Sequence, residues 1–447
     1  MASQTTTTAM MIDGFNLGLP RGTGVATYAR NLSRAGHDLG RSIDILYGLA
    51  GAARHGSPLL REVSFFEGEN ADSAWTKQLR TLSRLRPRPF GLAPFQVPVS
   101  GDVITRPLAA RLPYFDRVLN IPDVYGIADY QFAITGRRLM IRNPGGVGIM
   151  HWTYPLPLRL AGARNVYTLH DLVPLRLPFT TLDHKPTYLR LMKLIVAHAD
   201  RIVTVSETSR ADIIRLLDCP PEKVVNTYQS VDIPRPLLDK SDDEVRAEVE
   251  GALGLPYKGY FLFFGAIEPK KNVGRLIQAY LASTVEAPLA IIGPTGWQAD
   301  QELRLLNELT SRERLGPAAQ DGGSPAPGRR IVRFEFVPFS LLVSAIRGAR
   351  ATVFPSLYEG FGLPILESML LGTPVITSRI GATAETAGDC ALLVDPYDTG
   401  DIAAAVRRLD GDPALRADLA TRGRARAAFF SPERYQERLR AAYDGLI

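Results

Sequence analysis

Residues 354–367 read Phe354-Pro355-Ser356-Leu357-Tyr358-Glu359-Gly360-Phe361-Gly362-Leu363-Pro364-Ile365-Leu366-Glu367. The apolar run from Ala351 to Phe354 has the length of a short buried strand. Two glycines then permit a tight backbone path, Pro364 stands where a helix opens, and Gly372 with Pro374 ends that helix before the next apolar run. The stretch is therefore strand, loop and helix in succession. The amides of Gly360, Phe361, Gly362 and Leu363 fall at the helix N-terminus, where unpaired N–H groups and the positive end of the dipole suit a diphosphate. Glu359 and Glu367 bracket this cradle, with seven residues between them. Standing alone, such a pair would do no more than complement the helix dipole.

The same rhythm continues outward in both directions. Short apolar runs at Tyr260 to Gly265, Leu289 to Gly293, Ile331 to Phe336, Pro374 to Thr377 and Ala391 to Val394 alternate with amphipathic segments. Ile43 to Tyr47, Gly148 to His151, Val166 to His170 and Arg201 to Ser206 repeat the pattern earlier in the chain. Alternation of this kind builds parallel sheets wrapped by helices, here two doubly wound α/β units. Ser230 to Gly259 mixes prolines with the acidic run Asp242-Asp243-Glu244 and shows no strand, which places the boundary between the units there. The expected division is an N-terminal domain over 1–235, a C-terminal domain over 236–430 and a final helix over 431–447. Gly316 to Arg329, rich in Gly, Pro and Ala, reads as a surface loop inside the second domain.

Composition bounds what such a chain can do. With 447 residues and 45% hydrophobic content it can fill two cores, which excludes a disordered or fibrous protein. Cys219 and Cys390 lie far apart, so neither a disulfide framework nor a zinc site is expected. Met1 to Met10 lacks the charged-then-apolar pattern of a leader, and no apolar run has membrane-spanning length, so a cytoplasmic protein is expected. The net charge of +6 admits an anionic partner without saying which. Trp75 to Phe90 carries Lys77, Arg80, Arg84, Arg86 and Arg88 with no acid, interleaved with Trp75, Leu79, Leu82 and Leu85. It reads either as a surface for an anionic membrane or a lipid diphosphate, or as an ordinary solvated basic helix and loop. Asp410-Gly411-Asp412 precedes Pro413 and a helical pattern, which makes Asp412 a helix cap and not a magnesium ligand.

Taken with other segments, the Glu-x7-Glu run resembles the signature of the retaining family 4 (group 1) glycosyltransferases of the GT-B fold. Phe264-Gly265-Ala266-Ile267-Glu268-Pro269-Lys270-Lys271-Asn272, Thr168-Leu169-His170-Asp171-Leu172 and Val203-Thr204-Val205-Ser206-Glu207 agree with it, as do Gly14 to Asn31 and Ala384-Glu385-Thr386-Ala387-Gly388-Asp389. The resemblance implies two Rossmann-like domains facing a cleft, with the last helix crossing back to the first. It implies that Glu359 meets the donor sugar near the reacting centre and that Glu367 holds the nucleotide ribose, accepting from both hydroxyls. Lys271 would offset charge growing on the leaving diphosphate, with Gly265, Lys270 and the Gly360, Phe361, Gly362 and Leu363 cradle beside it. Gly22 and Gly24, in Arg21-Gly22-Thr23-Gly24, resemble the glycine-rich first loop near the donor phosphates and the acceptor. His170 would bind a sugar hydroxyl, whereas His151 reads equally as a structural residue. Relatives often carry arginine where this chain has Ala266, so either Lys270 supplies that charge or the phosphate is held less tightly.

The implied activity is retaining transfer of a hexose from a nucleotide sugar to a glycan or lipid-linked glycan in polysaccharide assembly. No cofactor, metal or nucleic acid is implied. GDP-mannose is the favoured donor, through the Glu-Pro-x-Lys-Asn-like strand end and Gly293-Pro294-Thr295-Gly296-Trp297, with UDP-glucose as the alternative. A phosphorylase or epimerase of the same fold, and a silent nucleotide-sugar-binding partner, are the competing readings.

Overall fold

The computed structural model describes residues 9–19, 24–49, 57–66, 84, 86, 88–103, 112–314 and 330–446. The strands of the N-terminal half are β1 (Ala9–Asp13), β2 (Ile43–Tyr47), β3 (Phe95–Val97), β4 (Arg117–Asn120), β5 (Leu139–Ile141), β6 (Val147–Trp152), β7 (Leu158–Leu160), β8 (Arg164–Thr168), β9 (Arg201–Thr204) and β10 (Val224–Asn226). Eight of them form one sheet in the order β10-β9-β8-β6-β1-β2-β4-β3, and β5 pairs with β7 apart from it. Every pairing in the large sheet is parallel except that of the edge strand β3 with β4. The second sheet is wholly parallel and comprises β11 (Phe261–Phe264), β12 (Leu289–Ile292), β13 (Ile331–Phe334), β14 (Ala351–Phe354), β15 (Val375–Ser378) and β16 (Leu392–Val394), in the order β13-β12-β11-β14-β15-β16.

Strands buried on both faces need unbroken apolar sequence, and β11 reads Phe261-Leu262-Phe263-Phe264 with every residue buried. Alternate side chains of a strand point to opposite faces. Accordingly Phe261 and Phe263 enter one core with Leu276 and Ile277, while Leu262 and Phe264 enter another with Val245 and Val249. β1 splits in the same way, with Met10 and Ile12 on one side and Met11 on the other. Both domains are thus doubly wound, as the resemblance implies.

Most strands read from sequence form within a residue or two of their expected ends. The central strand β1 carried no such reading, although Met10, Met11 and Ile12 are fully buried in it. Ser230 to Gly259 holds a helix, Asp242–Leu253, in its middle. Ser241 caps it and Glu244 closes a capping box, so the acidic run is the first turn of a helix and complements its dipole. The loop expected at Gly316 to Arg329 lies outside the described residues.

The last helix, Pro432–Tyr443, packs against the Gly24–Asp38 helix of the first domain. Tyr443 Oη lies 2.5 Å from His151 Nδ1, and Arg201 donates to the Ala442 carbonyl at 2.8 Å. His151 Nε2 meets Thr168 Oγ1 at 2.7 Å. Burial pushes this histidine down to about 3, so it is a neutral polar bridge inside the core and not a ligand for substrate. Replacing Tyr443 with Phe should lower the stability of the N-terminal domain by about 1–2 kcal/mol, since it strands a buried ring nitrogen. A reduced urea midpoint for that domain, followed by circular dichroism, would show it.

Candidate active site

In an open α/β sheet the crevice lies beyond the carboxyl ends of the strands, where the strand order reverses direction. In the first sheet the reversal falls between β1 and β6, and in the second between β11 and β14. The segments leaving β11 and β14 line a cleft of 630 Å³ between the domains, and the first domain contributes Gly24, Thr27, Arg30, His170 and Asp171 to its opposite wall.

Glu359 is at its centre. The loop after β14 brings this carboxylate to 8% exposure, where Oε1 accepts from Lys271 Nζ at 2.9 Å and from Ser356 Oγ at 3.2 Å. Lys270 Nζ lies 3.6 Å from Oε2. Burial alone would raise its pKa, but Lys270 and Lys271 outweigh burial and hold it at about 2, so Glu359 is ionised. Burial works against charge on Lys270 as well, yet Glu359, Asp171 and Glu268 raise its pKa and keep it protonated. Both lysines sit in the turn after β11, which Asn272 fixes by donating to the Pro355 and Pro396 carbonyls at 3.0 and 2.7 Å. Lys271 also rests 4.8 Å above the Phe354 ring.

Glu367 lies one turn into the Leu363–Leu370 helix and lines the same cleft. Desolvation raises its pKa to about 7, against a smaller opposing effect of Lys271. Gly362, at φ 107°, occupies the left-handed region and turns the chain into that helix. Gly360 answers a different constraint, because a Cβ there would stand 2.6 Å from the His170 carbonyl oxygen. The cradle therefore meets the first domain backbone to backbone.

His170 leaves the end of β8, where its Nε2 lies 2.9 Å from the Thr153 carbonyl. A carbonyl can only accept, so Nε2 carries the proton and Nδ1 is free to accept. Burial lowers the pKa of this ring and favours the neutral form. Thr153 is itself held by Asp13, whose carboxylate accepts from its backbone N–H. Asp13 is fully buried and burial raises it to about 6.

A family model described as glycosyltransferase family 4 matches residues 22–235, and one described as glycosyl transferases group 1 matches residues 258–412. The chain is 34% identical over 292 residues to O-antigen chain mannosyltransferase B of Escherichia coli, covering 62% of this chain and 69% of the relative. This chain belongs to the group 1, family 4 glycosyltransferases. It is also 30% identical over 300 residues to D-inositol 3-phosphate glycosyltransferase of Acidothermus cellulolyticus, covering 62% of this chain and 63% of the relative. Among solved structures, sucrose-phosphate synthase from Thermosynechococcus elongatus aligns over 98% of this chain and 99% of its own, at 18% identity and a TM-score of 0.65, which speaks for the shared fold.

In this glycosyltransferase the structure gathers Glu359, Glu367, Lys270, Lys271, His170, Gly265, Gly24, Gly360, Phe361, Gly362 and Leu363 around this cleft. Gly22 lies outside the described residues. Ala266 lines the cleft as well, so the position where relatives carry arginine opens onto it, with Lys270 alongside. Asp412 caps the Pro413–Ala428 helix by accepting from the Leu415 N–H at 2.9 Å. Most of Trp75 to Phe90 lies outside the described residues. Within it, Arg84 makes a two-pronged ion pair with Asp123 at 2.8 and 2.9 Å, so that charge belongs to an internal contact. Among the described residues no helix is long and apolar enough to cross a membrane.

Sequence reasoning passed over Asp13, and it quoted Asn272 and Pro294 within motifs without giving them a role; Asp13 and Asn272 hold the site from behind, and Pro294 lines the cleft with Phe339 and Leu342, which it also passed over. Asn272 adopts φ 61° just before a helix, a conformation asparagine tolerates better than most residues, and that signal was available. Gly360→Ala should cut glycosyl transfer roughly 100-fold, because a displacement near 1 Å at the cradle spoils alignment. Turnover measured beside an unchanged melting temperature would separate this from general destabilisation.

Proposed function

We propose that this glycosyltransferase moves a hexose, mannose in preference, from a nucleotide-sugar donor to a glycan or lipid-linked glycan acceptor, with retention of anomeric configuration. The observation that carries the reading is the arrangement of Glu359 between Lys270 and Lys271 beside a helix N-terminus and the cleft-lining Glu367. A diphosphate seated on the Gly360 to Leu363 amides would draw both ammonium groups towards itself as charge grows on the leaving oxygen. Glu359, released in part from the lysines, would face the sugar ring and accept from its hydroxyls. Nδ1 of His170 would accept from a hydroxyl on the opposite side. In the transfer step the bond from the anomeric carbon to the phosphate oxygen breaks and the acceptor oxygen bonds to that carbon on the same face. The acceptor's proton passes to the departing phosphate. The two lysines and the helix dipole supply the counter-charge without a metal in this scheme.

Mannose is favoured because the Escherichia coli relative is named as a mannosyltransferase of an O-antigen chain. The basic residues of Trp75 to Phe90 other than Arg84, which is paired with Asp123, would bring the enzyme to an anionic membrane face where a lipid-linked acceptor lies.

Two measurements test the proposal. Purified enzyme given GDP-mannose, UDP-glucose or UDP-galactose should release nucleotide from one donor only when a bacterial membrane extract supplies acceptor. Absence of release from all three, with nucleotide still binding, would favour a silent partner. The second concerns Glu367. Its carboxylate form accepts from the ribose hydroxyls and burial raises its pKa to about 7, so nucleotide affinity should fall as pH drops through 7. The limiting slope is about tenfold per pH unit, with protons released on binding. Titration calorimetry between about pH 5.5 and 8 should show this in the wild type, and weaker binding with a shallower profile in Glu367→Gln, where only the terminal phosphate of the nucleotide still titrates.

A further inference from the structure

The Gly381–Ala387 helix of the second domain carries Glu385, which reaches across to the first domain. Its Oε1 accepts from the Glu207 N–H at 2.7 Å, and its Oε2 accepts from the Thr208 N–H and the Thr208 hydroxyl, both at 2.9 Å. Glu207 and Thr208 open the Glu207–Leu217 helix of the first domain. The first four N–H groups of a helix have no partner within it. Ser206 satisfies that of Ser209 by ordinary capping, and Glu385 satisfies two of the others from a different domain. A negative group at this end also meets the positive pole of the helix dipole.

The same helix carries the rest of the contact. Ser209 Oγ, one residue beyond Thr208, lies 2.9 Å from the His170 carbonyl oxygen and 3.4 Å from that of Gly360, so it touches both walls of the cleft. Tyr358, next to Glu359, donates its hydroxyl to Asp212 Oδ2 at 2.6 Å. Asp212 is anchored in turn by Arg176 at 3.3 Å and Arg215 at 2.8 Å.

We infer that Glu385 is a positioning residue for transfer: by capping the Glu207–Leu217 helix across the domain boundary, it sets the closed register in which His170 and the Gly360 cradle face the same sugar. The inference rests on the transferase reading for its consequence, but the contact stands without it. The groups assigned above to the ribose and the diphosphate, Glu367 and the Gly360 to Leu363 amides, belong to the second domain, and Gly24 of the first lies across the cleft from them, on a helix that Glu385 does not touch. Losing the cap should therefore leave nucleotide affinity intact and slow the step that needs both domains.

The experiment compares wild type, Glu385→Gln and Thr208→Val. Gln keeps the size but turns an NH2 group towards one of the donors, whereas Thr208→Val removes only the hydroxyl contact, from the other domain. Hydrogen exchange of the Glu207 and Thr208 amides is followed with GDP and with UDP present, together with kcat and the dissociation constant of each diphosphate. Expected in Glu385→Gln are exchange faster by tenfold or more at those two amides, kcat down tenfold or more, and diphosphate affinity within twofold of wild type. Thr208→Val should move kcat the same way by a smaller factor. Unchanged amide exchange, or unchanged kcat, would overturn the inference. So would affinity falling in parallel with kcat, which would place the effect in the cradle, where Thr386 donates to the Phe361 carbonyl at 2.7 Å. If wild type transfers no sugar, the transferase reading fails while the amide exchange still decides whether the cap exists.

Discussion

Taking the Glu359 carboxylate out of water is costly, and Lys270 and Lys271 offset that cost from the turn after the neighbouring strand. Removing either partner would leave a buried charge unmatched, so the loops after β11 and β14 must keep their relative position for the site to exist. Their strands are neighbours at the point where the order of the second sheet reverses, and that topology keeps both loops at one end of the sheet. Asn272 ties the lysine turn directly to the loop that carries Glu359. The charge cluster therefore depends on the sheet, and the sheet on unbroken apolar strands that only a doubly wound layer can bury.

The first domain completes the site through contacts that are short and specific. Asp13 holds the Thr153 backbone, and the Thr153 carbonyl fixes the tautomer of His170. A neutral ring with one free acceptor nitrogen suits a sugar hydroxyl better than a charged imidazolium, which would add a third cation beside two lysines. Gly360 lets that histidine's backbone come within reach of the phosphate cradle. The cleft is thus assembled from both sheets, and the last helix, locked to His151 through Tyr443, fastens the second domain's chain back onto the first.

Much of this was legible from residues alone, for reasons that differ by element. Short strands such as Phe261–Phe264 and Leu289–Ile292 are read easily because strands covered on both faces are apolar throughout. The Glu359 to Glu367 stretch is legible because tight turns and helix starts demand particular residues at particular places. β1 escaped because it follows a polar, threonine-rich beginning. The Asp242–Leu253 helix lies in a stretch read only as strandless and as the domain boundary, although Ser241 and Glu244 form a capping box, a local signal that an acidic run obscured. Contacts such as Arg84 with Asp123 inside the first domain and Glu385 with Thr208 between the two depend on pairings far apart in sequence. No local pattern encodes them.

The central claim is that Glu359 serves the reacting sugar while the lysines, held apart from the diphosphate by that same carboxylate, serve the leaving group. Glu359→Gln removes the charge and keeps the shape, so it should abolish nearly all sugar transfer while nucleoside diphosphate binds as tightly as to wild type or more tightly, because Lys270 and Lys271 are freed. Calorimetric titration of the diphosphate beside a transfer assay on the same preparation reads both quantities. Transfer that survives the substitution, or diphosphate affinity that collapses with it, would contradict the account.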